Sequence, residues 1–226
     1  MILAAERSAL KRGARALGIE LTEQRLEQLL EYLELLYGWR KVAGLTAIPR
    51  ADAVRLHLLD SLSILGEVSV AERIADLGTG GGLPGLPIAI CVSSAQITLI
   101  ESRRRRCTFL LETIRHLGLD NCTVLELDAQ HLYASGRRFD AVTARGFLTP
   151  RKLLVMAVPL LLPGGRVVFM GGPSLPAGPD LVASSERRMR CSSDRTFRLP
   201  GGEETRRIVV LEGDNDVCSE QPKCFT

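Results

Sequence analysis

The stretch IADLGTGGGLPGLP at residues 74–87 decides the fold. A short apolar segment carrying Asp76 near its end runs directly into a loop in which every second residue is glycine. Glycine tolerates positive φ and lets the backbone approach a ligand closely. Open parallel sheets bind their ligands at the carboxyl ends of the strands. The stretch therefore predicts the first strand of an α/β sheet, followed by a ligand-binding loop.

Strands and helices alternate after this loop. Strands are predicted at residues 74–77, 96–100, 122–127, 139–143, 166–170 and 205–211. Helices are predicted at residues 84–91, 103–117 and 150–162, the last stopped by Pro163-Gly164-Gly165, and residues 171–179 are expected to form a loop. Apolar strands separated by helices predict a parallel sheet covered on both faces.

The first 65 residues have a helical pattern instead. Apolar residues from Leu26 to Tyr37 recur at helical spacing, Thr22 can cap that helix, and a second amphipathic helix fits residues 52–65. We therefore expect an N-terminal helical extension at 1–65, a sheet domain at 66–211 and a polar tail at 212–226.

Composition limits the function classes. The chain has 226 residues, 46% hydrophobic and 24% charged, which excludes chain-wide disorder. Its net charge of +3 permits an anionic partner, and only four of its 29 basic residues are lysine. Arginine binds phosphate with a planar fork.

Cysteines and apolar runs predict the compartment. The six cysteines include no CxxC pair and no histidine at ligand spacing, so we expect neither a metal site nor a disulfide framework. The longest apolar run, residues 153–162, is interrupted by Pro159 and is too short for a membrane span, and no signal peptide is recognised. We expect a cytoplasmic protein with no membrane partner.

Polar residues at the ends of the next two strands indicate an adenosine cofactor. Glu101 ends the second strand, where a carboxylate can accept both hydroxyls of a ribose. Asp128 and Ala129 follow the third strand and could bind the adenine edge; the alternative for Asp128 is a helix cap for the segment that follows.

Two cofactors fit this pattern. Gly80, Gly82 and Gly85 match the dinucleotide fingerprint, so NAD is one alternative. Asp76 in the strand end, the early start of the glycines and Pro84 favour S-adenosylmethionine. That cofactor carries a sulfonium and an ammonium but no phosphate, which suits two carboxylates better than a pyrophosphate does.

Basic residues near the predicted site indicate a nucleic-acid partner. Four consecutive arginines open the helix after Glu101, where cations oppose the helix dipole unless they meet an anion. A solvated helix face is the alternative. Arg50 could extend this basic surface, and Arg145 after the fourth strand could stack on a base or bond its O6 edge. His57 and Asp60, three apart on one helix face, fit a tie between helix and sheet better than a catalytic dyad.

A family resemblance rests on six segments. They are WRK at 39–41, GLTAI at 44–48, HLLDS at 57–61, DLGTGGGLPGLP at 76–87, LIES at 99–102 and RFDAVTARGF at 138–147. Together they resemble the bacterial 16S ribosomal RNA guanine-N7 methyltransferases, called RsmG or GidB, from about residue 15 to 172. The resemblance implies a Rossmann-like class I methyltransferase fold that uses S-adenosylmethionine to methylate a guanine of the decoding region.

The residue patterns and the resemblance together give the candidate site residues. Arg145 would complete the cofactor and base pocket as the catalytic residue. The candidate cofactor-binding residues are Asp76, Gly78, Gly80, Gly82, Leu83, Glu101, Asp128, Ala129, Gln130 and Arg145. The candidate RNA-binding residues are Arg40, Lys41, Arg103, Arg104, Arg105 and Arg106.

The sequence departs from the family pattern at several positions. Gly81 replaces a proline, Arg40 and Gly44 stand where asparagines are common, Leu56 replaces an arginine, and Gly171 replaces a lysine. The last three changes remove polar groups near the expected RNA face.

Guanine N7 carries a free lone pair, so we expect catalysis by positioning, without a nucleophilic cysteine, serine or histidine. The expected partner of a monomeric enzyme is 16S rRNA or the small ribosomal subunit. Three other functions stay open: a small-molecule or protein methyltransferase, an NAD-dependent oxidoreductase, and a ribosome-associated binding module without activity.

Overall fold

The structure is a computed structural model that describes residues 4–146, 148–185 and 189–214. Most of the expected polar tail, with Cys218 and Cys224, lies outside the described residues, as does Phe147 of the last family segment. The strands are β1 (Arg73–Leu77), β2 (Gln96–Glu101), β3 (Cys122–Glu126), β4 (Phe139–Arg145), β5 (Leu161–Gly171), β6 (Met189–Arg198) and β7 (Thr205–Gly213). The α-helices are α1 (Ala4–Ala16), α2 (Glu23–Ala43), α3 (Asp60–Leu62), α4 (Leu65–Val68), α5 (Gly85–Cys91), α6 (Arg104–Leu117), α7 (Pro150–Ala157) and α8 (Gly178–Ala183).

All seven strands belong to one sheet, in the order β3-β2-β1-β4-β5-β7-β6. Strands β1 to β5 pair in parallel, and β7 is antiparallel to both β5 and β6. The chain runs outward from β1 through β2 to β3 and then returns to pair β4 with the other side of β1. This switch point lies at the carboxyl ends of β1 and β4, the place where open sheets bind ligands. The predicted α/β class is confirmed.

The two faces of the sheet are covered by different helices. On one face α2, α5 and α6 form a core with the sheet, in which Leu33, Leu86 and Phe109 are fully buried. The other face packs around Phe169 with α7. The N-terminal helices thus share a core with the sheet.

Three predicted elements differ in the structure. The helix expected at 150–162 ends at Ala157, and after a 3-10 turn at Val158–Leu160 the chain enters β5 at Leu161. A short apolar run is compatible with both a helix and a buried strand, so the sequence pattern does not show where the helix ends and the strand begins. Helix α8 begins within the expected loop, and β6 was not predicted. Strand β6 is an edge strand rich in polar residues, with every other residue exposed.

The helix predicted at 52–65 is broken into shorter pieces. A 3-10 turn at Arg50–Asp52 leads into a π-helical segment at Val54–Leu59, which continues into α3. Single π-helical turns are frequent at functional sites. This segment buries His57 and Asp60, with 2% and 6% of their surfaces exposed.

No helix among the described residues is long and apolar enough to cross a membrane. The described ranges also contain no cluster of three or more histidine, cysteine or acidic side chains that could hold a metal ion.

Candidate active site

The glycine loop after β1 is a series of left-handed turns. Gly78, Gly80 and Gly82 have φ of +64°, +60° and +90°, values that side chains rarely tolerate. The Thr79 carbonyl accepts from the amides of Gly82 and Leu83, at 2.9 and 3.1 Å, and the Thr79 amide donates to Ile100 at 3.0 Å. These bonds anchor the loop to the end of β2.

Asp76 organises this loop from within the protein. Its carboxylate is fully buried, and Oδ2 accepts from Thr79 Oγ1 at 2.6 Å and from the Gly85 amide at 2.8 Å. Its Oδ1 is buried and has no hydrogen-bond partner among the described residues. Burial raises the pKa of Asp76 to about 6. Asp76 therefore holds the loop in place from inside the core.

The glycines of the loop have different roles. A Cβ at Gly80 would meet only Arg106 Nη1 at 3.7 Å and a carbonyl at 3.9 Å, so this glycine borders open space. A Cβ at Gly82 would lie 2.3 Å from Leu86, and one at Gly85 would lie 2.2 Å from Leu99. Leu83 is also buried in the core. Among the candidate cofactor residues, the structure therefore places Gly82 and Leu83 in the packing and Gly80 at the accessible edge.

Glu101 joins the glycine loop to α6. It is 5% exposed at the end of β2. Its Oε2 accepts from the Gly80 amide at 3.1 Å, and its Oε1 accepts from the Arg103 amide at 2.9 Å. Arg106 Nη1 lies 3.5 Å from Oε2. The carboxylate is thus fixed beside the loop while each oxygen keeps a second lone pair.

Asp128, Ala129 and Gln130 follow β3 at the same edge of the sheet. The Leu127 amide donates to the Glu101 carbonyl at 3.0 Å, which holds the two strand ends together. Asp128 caps the 3-10 helix Ala129–Ser135 by accepting from the Gln130 amide at 3.1 Å, which is the capping alternative. Ala129 is buried and Gln130 is exposed.

Arg145 ends β4 and is held by the π-helical segment. Its Nη1 donates to the Leu56 carbonyl at 3.0 Å and to Asp60 Oδ2 at 3.1 Å, and its Nη2 lies 3.4 Å from His57 Nδ1. The His57 and Asp60 side chains therefore tie a helix to the sheet, as the structural interpretation predicts. Each of the two side chains contacts Arg145.

The imidazole of His57 is neutral near pH 7. Burial, reinforced by the Arg145 cation, lowers its pKa to about 4. Thr46 orients the ring from the side opposite Arg145, because its Oγ1 lies 2.9 Å from His57 Nε2. Sequence reasoning missed Thr46, although it lies within the GLTAI segment.

The arginine run divides into two groups. Arg103, Arg104 and Arg105 are exposed. Arg106 is mostly buried and donates to the Gly44 carbonyl at 2.9 Å, at the end of α2. Arg106 is therefore an internal tie between α2 and Glu101, contrary to its expected place on an RNA-binding face.

The other basic candidates also differ in their surroundings. Lys41 is exposed, and the half-buried Arg40 lies over the Tyr37 ring at 5.7 Å. Arg50 forms ion pairs with Glu6 at 2.7 Å and with Glu34 at 2.6 Å. Arg50 therefore does not extend the basic surface, because its charge is already neutralised.

Tyr32 is a site residue that sequence reasoning missed. It is fully buried in α2, and its hydroxyl donates to the Gly81 carbonyl at 2.7 Å. Burial raises the pKa of this phenol far above its ordinary range. In the sequence Tyr32 is only one more apolar-face residue of a helix, so no local signal connects it to the loop 49 positions later.

One departure from the family pattern has a simple explanation. Gly44 is the C-cap of α2 with φ of +60°. Glycine and asparagine are the two residues that most readily adopt this left-handed conformation. The exchange therefore preserves the backbone turn that presents the Gly44 carbonyl to Arg106.

Comparisons with known proteins agree with this geometry. A family model described as GidB, rRNA small subunit methyltransferase G, matches residues 25–208. Two similar proteins named ribosomal RNA small subunit methyltransferase G come from Ralstonia nicotianae and Chromobacterium violaceum. The first is 35% identical over 92% of this chain and 96% of its own, and the second is 37% identical over 72% and 78%.

Solved structures share the fold at low identity. TrmN from Thermus thermophilus has a TM-score of 0.53 at 21% identity, covering 69% of this chain and 48% of its own. The 1,6-didemethyltoxoflavin-N1-methyltransferase of Burkholderia thailandensis, solved with S-adenosylhomocysteine, has a TM-score of 0.55 at 14% identity, covering 81% and 86%. These likenesses confirm the Rossmann-like methyltransferase fold.

Proposed function

Because the chain belongs to the rRNA small subunit methyltransferase G family, we propose that it methylates guanine N7 in the decoding region of 16S ribosomal RNA. The methyl donor is S-adenosylmethionine. The observation that carries the proposal is the convergence of the Gly80 loop, Glu101 and Arg145 at the edge beside the β1–β4 switch point. The relatives' shared name supports the substrate class, and the resemblance of the sequence segments supports the N7 position.

The loop fits S-adenosylmethionine better than a dinucleotide. A pyrophosphate needs free backbone amides at a helix N-terminus. Here the amides of Gly82 and Leu83 already donate to Thr79, and that of Gly85 donates to Asp76. The Gly80 amide likewise donates to Glu101. Loop amides that already have partners suit a ligand without phosphate.

Each candidate cofactor residue then has a distinct proposed role. Gly78 and Gly80 let the backbone approach the ligand, and Glu101 accepts the ribose hydroxyls. Asp128, Ala129 and Gln130 bind the adenine end, where the Asp128 cap fixes the turn. Gly82 and Leu83 contribute by keeping the loop in place.

The chemistry needs no proton acceptor. When bound, S-adenosylmethionine supplies an electrophilic methyl group attached to a sulfonium. Transfer of that methyl group to the N7 lone pair would break the S–C bond, leave the positive charge on the purine and release no proton. The protein's task is to align the two reactants, which is a large effect in itself.

The side chains at the site agree with a positioning mechanism. Burial raises the pKa values of Cys91 and Cys107 to about 12 and about 11, so both thiols stay protonated and inert. Arg145 is the proposed catalytic residue, which binds the O6 edge of the guanine. Its pairing with Asp60 offsets its charge, which reduces repulsion from the methylated, cationic base.

The exposed cations form the proposed RNA-binding surface. Arg103, Arg104 and Arg105 surround the start of α6, and Arg106 holds the end of α2 beside them. Lys41 and Arg40 lie in the last turn of α2. Cations at the start of α6 and at the end of α2 can contact successive phosphates and so orient the RNA.

The test is transfer of labelled methyl to small ribosomal subunits that lack their own N7-methylguanine, followed by aniline cleavage at the modified base. We expect one cleavage in the decoding region, and none with a Gly78→Arg variant that cannot admit the cofactor. Binding of S-adenosylhomocysteine without any incorporation would contradict the rRNA substrate and favour a small-molecule or protein substrate. A thermal shift with NAD and none with S-adenosylhomocysteine would contradict the cofactor.

A further inference from the structure

We propose that Asp60 and His57 are positioning residues that hold the Arg145 guanidinium in one orientation and leave one side of its donor fork for the target base. This inference rests on the proposed function, because it assigns the base-binding geometry of that same site. Neither side chain takes part in the methyl transfer itself.

The hydrogen bonds of Arg145 define which donors remain. A guanidinium has five N–H groups. Both Nη1 hydrogens are used, toward the Leu56 carbonyl and Asp60 Oδ2, and one Nη2 hydrogen faces His57 Nδ1. The Nε hydrogen and the second Nη2 hydrogen have no hydrogen-bond partner within the described part of the chain. In a guanidinium, Nε–H and the Nη2–H on the same side are parallel, the arrangement that binds a pair of acceptors on one planar edge.

Asp60 cannot move away from Arg145, because it is held from its other side. Its Oδ1 accepts from Arg206 Nε of β7 at 2.8 Å, while Oδ2 accepts from Arg145 of β4. The carboxylate side chain is 8% exposed. A buried carboxylate between two guanidinium groups is costly to disturb, because removing its charge leaves both cations uncompensated.

His57 fixes the other end of the guanidinium. Thr46 Oγ1 lies 2.9 Å from His57 Nε2 and also accepts from the Ile48 amide at 3.0 Å, which locks the ring to the loop after α2. The lowered pKa of His57 keeps the imidazole uncharged beside Arg145. The loop at residues 44–49 is thereby connected to the orientation of Arg145.

The chain contains a matched control for this arrangement. Glu67 of α4 accepts from Arg195 Nε of β6 at 3.1 Å, which also ties the helical connection to the sheet by an ion pair. Neither residue of this pair is among the described hydrogen-bond partners of Arg145. Glu67→Gln therefore removes the charge of a similar ion pair without changing the Arg145 donors that we propose bind the base.

The experiment compares Asp60→Asn, Asp60→Glu and Glu67→Gln with the wild type in methyl transfer to small subunits. We expect kcat to fall by about 10- to 100-fold in both Asp60 variants, with KM for S-adenosylmethionine unchanged, since displacing a catalytic group by about 1 Å has effects of that size. Asp60→Glu keeps the charge and is included because Asp60→Asn can fail to fold. His57→Asn, whose amide oxygen can replace Nδ1 as acceptor, should retain more activity than His57→Leu.

A second measurement does not depend on activity. Guanidinium Nη hydrogens give resolved NMR signals only when rotation of the group is hindered, and Arg145→Lys identifies those of Arg145. We expect these signals in the wild type and in Glu67→Gln, and their loss in the Asp60 variants. Retained signals in folded Asp60→Glu, or equal losses of kcat in Glu67→Gln, would overturn the proposal. If the wild type transfers no methyl group, the proposed function fails, while the NMR result still decides whether Asp60 holds Arg145.

Discussion

Arg106 Nη1 lies 3.5 Å from Glu101 Oε2, and the same guanidinium donates to the Gly44 carbonyl at the end of α2. One side chain therefore connects the N-terminal helices to the acid that we propose binds ribose. Its neighbours Arg104 and Arg105 point their charges to solvent. The four consecutive arginines therefore lie in two different environments: three are exposed to solvent, and Arg106 is held within the protein.

Arg106→Gln should weaken cofactor binding and stability together. The variant loses the ion pair to Glu101 and the hydrogen bonds to the Ala43 and Gly44 carbonyls. We therefore expect the free energy of unfolding to fall by about 1–2 kcal/mol. We expect the affinity for S-adenosylhomocysteine to fall roughly tenfold, an effect of about 1.4 kcal/mol. Calorimetric titration and urea unfolding measure the two effects. Arg105→Gln is the matched control, and an equal loss of cofactor affinity in that variant would contradict the internal role of Arg106.

The double variant Arg104→Gln/Arg105→Gln should change RNA binding alone. If both side chains contact phosphates, the slope of log affinity against log salt concentration should become shallower by roughly two. Filter binding of decoding-region RNA over a range of salt concentrations measures this slope. Cofactor affinity and melting temperature should match those of the wild type. An unchanged slope would show that these arginines form only a solvated helix face.

Two alanine substitutions in the loop should separate binding from packing. Gly85→Ala places a Cβ 2.2 Å from Leu99 and 2.8 Å from Asp76 Oδ2, so we expect overpacking to cost roughly 1–3 kcal/mol or more. Gly80→Ala borders open space and meets only the strain of its positive φ, about 1–2 kcal/mol.

The two variants should therefore affect stability and cofactor affinity to different extents. Gly85→Ala should lower the melting temperature more, and Gly80→Ala should lose more affinity for S-adenosylhomocysteine, because its methyl group occupies the edge where the ligand approaches. Thermal unfolding and calorimetry on the same samples test this. Normal cofactor affinity in Gly80→Ala would remove Gly80 from the binding surface.

The pH dependence of stability should reveal two opposing buried groups. His57 has a folded pKa of about 4 against an ordinary 6.5, so in that window the unfolded chain binds a proton that the folded chain does not. This term destabilises the fold as pH falls, by up to about 3 kcal/mol. Asp76 has a folded pKa of about 6 against 3.8, so its folded form keeps a proton between these values and its contribution is lost as pH rises.

The effects of His57 and Asp76 on the free energy of unfolding partly cancel between about pH 4 and pH 6. In His57→Asn only the Asp76 effect remains. The slope of the free energy of unfolding against pH should therefore be more negative in this variant than in the wild type. In Asp76→Asn it should rise more steeply with increasing pH. Urea unfolding at several pH values measures all three proteins. Profiles that differ only by a constant offset would contradict these pKa shifts.

Much of the fold was predictable because its signals are local. Strands β1 to β4 and the glycine loop are marked by apolar runs and glycines within a few residues of each other. Strand β6 was missed because an edge strand with a polar exposed face lacks that contrast. The π-helical segment was predicted as an ordinary helix, since its apolar residues have nearly the same spacing.

By itself, the sequence predicted the α/β sheet and the loop that follows its first strand, because the glycine spacing and the acids at strand ends are local features. Only the tertiary structure decided which of the candidate side chains are free to act. Arg145 meets Asp60 across 85 positions, Arg106 meets Gly44 across 62, and Tyr32 meets Gly81 across 49. Contacts this distant depend on how helices pack on the sheet. That packing separates an arginine held by the protein's own carbonyl groups from the exposed arginines that we propose bind RNA.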